Sequence, residues 1–181
     1  MDSYLLVWLA HLIQPLLIAL FVMSAAAKVQ TFAAFRSTTY QLGVPGRWTG
    51  PAAAGVVLAE SAVAVGVAVV PATPWPYALT GALAVLFALA GIRALGMRRT
   101  IACRCFGGSG RSLGWRQVAL LPVWLGGTWL VLLRPLHWPV ATGLAVLTAS
   151  ATAVAAYRAW RLRRLRAVLR ADRLATAHSP G

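Results

Sequence analysis

The sequence predicts an all-α integral membrane protein: a bundle of about five transmembrane helices, four if the weakest span is discounted, with a basic amphipathic C-terminal helix. Three observations carry this. Of the 181 residues, 60% are hydrophobic, and mean hydropathy is +0.73. Apolar runs long enough to cross about 30 Å of hydrocarbon recur along the chain. Only three acids, Asp2, Glu60 and Asp172, stand against seventeen Lys and Arg. A soluble domain of this length cannot hide so much apolar surface, and the two-residue alternation of an outer-membrane barrel is absent.

Five stretches qualify as spans: about residues 5–27, 51–70, 76–96, 117–133 and 138–157. The first ends in "SAAAK" at 24–28, which resembles a signal-peptide cleavage pattern. It opens with Asp2 and no base, however, and its apolar run exceeds a signal h-region, so it reads as a retained span. The second span carries Glu60, the only acid expected inside the bilayer. "PATPWP" at 71–76 and "RPLHWP" at 134–139 read as short turns, with proline ending helices and tryptophan seated at the interface. The fourth span is the weakest, because it is short and holds Pro122 and the pair Gly126 and Gly127.

Charge decides between five spans and four. With five, the first loop (Lys28, Arg36, Arg47), the third loop (Arg93, Arg98, Arg99, Arg104, Arg111, Arg116) and the tail from Arg158 to Arg173 share a face, leaving only Arg134 opposite. That bias places the shared face in the cytoplasm and the N-terminus outside. Removing the fourth span would split the bases almost evenly. The simplest division is a membrane domain over 1–157 and a basic tail over 158–181, with the last six residues, "TAHSPG", expected to be disordered.

In that tail Trp160, Leu162, Leu165 and Leu169 fall at near-helical spacing among arginines. The pattern suits an amphipathic helix whose partner is a bilayer containing anionic lipids. Nucleic-acid binding is not expected, since topogenic and lipid-facing roles account for the arginines and no recognition fold accompanies them.

The two cysteines, Cys103 and Cys105, sit one residue apart in "TIACRCFGG" at 100–108. Cysteines in membrane chains are commonly small apolar residues within helices, but these lie in a polar loop beside "FGGSG". A closed zinc site needs four ligands; there is no third cysteine, and His11, His137 and His178 are expected at the outer face or in the distal tail. No metal is expected. Thiol–disulfide chemistry suits the spacing better, because a bond between residues i and i+2 closes a small strained ring that is readily reduced. Arg98, Arg99 and Arg104 would favour the thiolate, although topogenic charge explains them equally well.

"CRCFGG" resembles the Cys-x-Cys-Phe-Gly motif of the methylamine utilisation protein MauE family, which is related in architecture to DoxX-like membrane proteins. Lys28 closing the first span, Phe32, "YQLGVP" at 40–45 and Glu60 agree with it in order, and the resemblance runs to "GWRQ" at 114–117. The resemblance implies a multi-pass protein of a bacterial plasma membrane. It also implies a role in maturing disulfide-containing exported proteins, such as methylamine dehydrogenase, beside a thioredoxin-like partner. Cys103 and Cys105 would then be the redox pair, with Lys28, Tyr40 and Glu60 as supporting polar residues. The arginine-rich tail departs from the family's common pattern.

No cofactor is required by this reading, and the sequence offers no support for a quinone. Glu60 within a span marks either function or an ion pair fixing helix packing, with Lys28 or Arg93 in reach. Two functions remain open. One is a membrane thiol–disulfide oxidoreductase working through Cys103 and Cys105; the other is a carrier or assembly scaffold centred on Lys28 and Glu60. Oligomeric state is not legible.

Overall fold

In hydrocarbon each backbone N–H must find its acceptor within its own segment, so the spans have to be helical. The structure, a computed structural model, describes residues 2–97, 101, 113–133 and 139–177, with side chains described at 11–97, 101, 113–133, 139–164 and 166. No strand occurs among these residues, and five helical stretches among them are long and apolar enough to cross a membrane. Cys103 and Cys105 lie outside the described residues, as do Arg98, Arg99, Arg104, Arg111, Arg134, His137 and His178.

Helix α1 (Asp2–Gln30) continues through Pro15, and α2 (Phe32–Gln41) follows after Thr31. The stretch joining the first two spans is therefore partly helical. Phe35, Thr38 and Thr39 on one face of α2 are buried, while Arg36, Ser37 and Tyr40 on the other are exposed. A 3₁₀ turn (Gly46–Trp48) leads into α3 (Thr49–Val69), where Pro51 is tolerated in the first turn. After "PATP", α4 (Trp75–Gly96) starts with Pro76 in its first turn, so the last two residues of the expected turn "PATPWP" belong to the helix, where a proline without its N–H costs nothing.

The fourth span is built from α5 (Trp115–Ala119) and α6 (Leu121–Leu133), which together form one span-length apolar stretch. They part at Leu120, just before Pro122, whose missing N–H interrupts the ladder. Gly126 and Gly127 do not break α6. Last, α7 (Val140–Ala177) runs without interruption for 38 residues. The boundary at 157 thus marks a change of composition within one helix.

Helix α3 is the hub, packing against α1, α2, α4 and α7. The core joins Leu17, Ile18 and Phe21 to Val63, Ala64, Val67 and Ala68, with Tyr77, Leu83 and Val131 closing it. Helices α3 and α7 come close at Gly143, where an added Cβ would overlap the Ala68 carbonyl. Gly143→Val should therefore cost about 1–3 kcal/mol by overpacking. It should lower Tm by roughly 2–12 °C in a thermal melt of the detergent-solubilised protein. Gly127→Ala is the control, because nothing lies within 4 Å of the new methyl.

Candidate functional site

Along α1, Gln14, Leu17, Ile18, Phe21, Ser24, Ala25 and Lys28 recur every three or four residues and all are buried. The inward face is apolar in the middle and polar toward its ends. At the end leading into α2, Lys28 Nζ lies 2.6 Å from Glu60 Oε1 of α3, with both side chains 0% exposed. The ammonium also donates to Ser24 Oγ at 2.6 Å, and Ser24 in turn donates to the same carboxylate oxygen at 2.9 Å. Phe35 of α2 and Phe87 of α4 present their rings to the ammonium at 5.5 and 5.3 Å from their centroids. Four helices thus surround one cation: α1 supplies it, α3 neutralises it, and α2 and α4 cover it with aromatic faces.

Such a pair exists in a bilayer only because each charge removes most of the cost of the other. An isolated ion there is expensive, and attraction at short range in a low dielectric offsets the lost hydration. The cation–π contacts supplement the carboxylate where water is excluded. One atom stays unmatched: Glu60 Oε2 is buried with no hydrogen-bond partner among the described residues. A carboxylate oxygen in that state is a ready acceptor for a proton or a water molecule.

Of the two cations in sequence reach of Glu60, the structure pairs Lys28 and not Arg93. Arg93, near the end of α4, instead donates through Nε to the Leu42 carbonyl at the end of α2. Its guanidinium lies over Gly43, whose φ of +89° and lack of a side chain both suit the contact. Leu42 packs with Ala90 and Met97 onto a small cluster of Ala94, Ile101 and Leu113. Leu113 N–H donates to the Ile101 carbonyl at 2.7 Å, so the two ends of the cysteine-bearing loop are joined at this cluster.

Tyr40 is not part of the Lys28–Glu60 centre. It is 63% exposed on α2 and lines a half-open cavity of about 490 Å³ together with Gln41, Gly43, Val44, Pro45 and Ile101. The expected site residues therefore separate into the buried pair and Tyr40 at the cavity, with the cysteines outside the described residues. Ser24 was missed by sequence reasoning, although its position four residues before Lys28 on one helix face was a readable signal. Phe35, Phe87 and the Arg93 contact had none.

A second polar group, also missed, occupies the opposite end of the bundle. Gln14 Nε2 donates to Tyr77 Oη at 2.8 Å, and Tyr77 donates to the Pro71 carbonyl at 3.0 Å. This fastens α1 to the turn between α3 and α4. Among the described residues no group of three His, Cys, Asp or Glu side chains is placed to hold a metal ion.

Span-length apolar helices packed around a neutralised charge pair put the protein among polytopic helical membrane proteins. Comparison with protein families goes one step further: the family described as methylamine utilisation protein MauE matches residues 6–139, and the chain belongs to that family. The match takes in the buried pair, the Tyr40–Pro45 turn and both cysteines, and leaves α7 outside. No curated protein and no solved structure matches the chain.

Breaking the pair one residue at a time should be worse than removing it whole. Lys28→Met or Glu60→Gln alone should cost about 3–5 kcal/mol by leaving one charge uncompensated. The double variant Lys28→Met with Glu60→Gln should be closer to wild type than either single variant. Denaturant titration of all four proteins in the same micelle measures this coupling.

Proposed function

We propose that the protein is a membrane thiol–disulfide redox protein in which Cys103 and Cys105 open and close a disulfide. In keeping with the family's description, it would serve methylamine utilisation, by helping disulfide-containing exported proteins such as methylamine dehydrogenase to mature with a thioredoxin-like partner. The observation that carries this reading is the Cys-x-Cys-Phe-Gly motif in a loop whose ends, Ile101 and Leu113, are joined beside the Tyr40–Pro45 turn. Oxidation of a dithiol releases two protons. Glu60 Oε2, buried and unpaired, is suited to accept one of them, and Lys28 and Ser24 hold the carboxylate in place. Tyr40 belongs to the surface that receives the reaction partner.

In this reading the cysteine loop, the first loop and α7's basic end face the cytoplasm, with the N-terminus outside, a sidedness that the distribution of bases in the sequence supports. Leu42 packs beside Ile101 and Arg93 binds the Leu42 carbonyl, an arrangement consistent with the first and third loops sharing one end of the bundle. Because α7 is continuous, its basic end follows the direction of the fifth span. Arg158, Arg161, Arg163 and Arg164 are then the residues in reach of anionic headgroups, and Arg164 stacks over Trp160 with 5.6 Å to the ring centroid.

The second reading, a carrier or assembly scaffold, is favoured by the same orphaned Glu60 oxygen, which can receive a donor other than a redox proton. Cysteine replacement separates the two. With Cys103 and Cys105 both changed to Ser, maturation of the dependent exported enzyme should fall to background, while Glu60→Gln should slow thiol turnover about a hundredfold. The readouts are enzyme activity in cells and trapping of free thiols with a bulky maleimide. Normal maturation by the double serine variant would sink the redox reading and leave the scaffold.

A further inference from the structure

Glu60 keeps one oxygen without a partner among the described residues, while its side chain is shut off from solvent. Any proton it takes must travel along the bundle, and the two directions differ. From the residues on either side we infer that Glu60 exchanges its proton through a hydroxyl-lined seam between α2 and α3, which opens where α2 ends and α3 begins, and not through the opposite end of the bundle. This rests on the proton role given to Glu60 above and not on the thiols.

Toward the seam the buried surface is polar. Phe35 of α2 lies over the Lys28 ammonium, and Thr38 and Thr39 follow one turn later on the same buried face. Thr39 Oγ1 donates to the Arg36 carbonyl at 2.7 Å and lies 3.3 Å from the Thr49 carbonyl of α3, so the two helices meet at hydroxyls. Thr49, buried as well, starts α3 at about 16 Å of helical rise from Glu60. Its Oγ1 accepts from Arg36 Nε at 3.2 Å, and Arg36 is exposed, which marks the mouth of the seam. Each hydroxyl has lone pairs besides the proton it donates, so water entering the seam finds partners there.

Toward the other end the bundle is dry. Leu17, Ile18 and Phe21 of α1 meet Val63, Ala64, Val67 and Ala68 of α3, all buried and apolar, before the Gln14–Tyr77 group is reached. The remaining buried threonines among the described residues belong to that far end: Thr80 follows Tyr77 by one turn, and Thr128 follows Leu125, which packs on Gly81. An apolar layer gives water no partner to hold it.

The ligand this arrangement selects is a proton. Lys28 is the charged partner of Glu60 among the described residues, and its ammonium, 2.6 Å from Oε1, repels a metal cation at the neighbouring oxygen. The other helices around the pair turn no further charge toward it: α2 and α4 present the rings of Phe35 and Phe87, Arg93 is held by the Leu42 carbonyl, and α7 packs on the core through Gly143, Val146 and Leu147. A proton delivered through the seam bonds to Oε2 and turns the carboxylate into a carboxyl. The charge then left on Lys28 is met by the two ring faces and by Ser24 Oγ.

The test uses the full-length protein in lipid nanodiscs, with protons released from a caged acid by a laser flash and rapid-scan infrared following the carboxylate. Glu60→Gln lacks the signal and so assigns it. Thr38→Val and Thr39→Val, which remove a hydroxyl and keep the branched shape, should each slow protonation about tenfold, and Thr38→Ser and Thr39→Ser should restore the rate. Tyr77→Phe, at the far end, should leave it unchanged. If Tyr77→Phe slows protonation, or if the valine variants do not, the seam proposal falls. It falls too if the carboxylate never titrates in protein that stays folded by circular dichroism. None of these results touches disulfide closure by Cys103 and Cys105, and normal maturation by the double serine variant would leave the seam standing, so the two readings fail separately.

Discussion

The contact on which the rest of the structure depends is the ion pair between Lys28 and Glu60. Neither residue is tolerable alone inside a bilayer, and each supplies what the other needs. Because the pair is directional, it sets more than the proximity of α1 and α3. It fixes the depth at which they meet, since a slide of one turn, about 5.4 Å, would separate the charges in a medium with no water to replace them. Apolar packing has no such preference, because lipid tails compete with leucine and valine on equal terms.

The polar groups at either end of α1 divide the work of holding the bundle. Gln14, Tyr77 and the Pro71 carbonyl join α1 to the turn between α3 and α4, and Ser24, Lys28 and Glu60 join it to α3 near the other end. Ile18, Phe21, Val63 and Val67 form the dry layer that belongs to neither. The two centres have an acceptor each to spare, at Gln14 Oε1 and Glu60 Oε2. The first belongs to the side chain that donates to Tyr77, whose hydroxyl holds the Pro71 carbonyl. The second lies beside an ammonium, two aromatic rings and a hydroxyl, where a proton changes the local charge.

Arg93 shows how a residue that reads as topogenic charge acquires a second task. Its position near the end of a span suits a topogenic charge, and its side chain then reaches from α4 to the end of α2. The contact needs a carbonyl without a helical partner, which the end of α2 supplies, and a residue without a side chain, which Gly43 supplies. Together they hold the Tyr40–Pro45 turn beside Ile101 and the cluster it forms with Ala94 and Leu113.

Membrane class, helical content and the approximate position of each span were legible in the sequence, because the bilayer imposes one requirement on every spanning residue and local composition reports it. The Cys-x-Cys motif and Glu60 were legible for the same reason, as polar chemistry where apolar residues are the rule. Choosing Lys28 over Arg93 as Glu60's partner depended on how α1, α3 and α4 rotate about their axes, which hydropathy does not encode for helices apolar on every side. The aromatic cover from Phe35 and Phe87, the Gln14–Tyr77 contact and the cavity shared by Tyr40 and Ile101 likewise join residues far apart in the chain. Their positions follow from packing, so only the tertiary structure decided them.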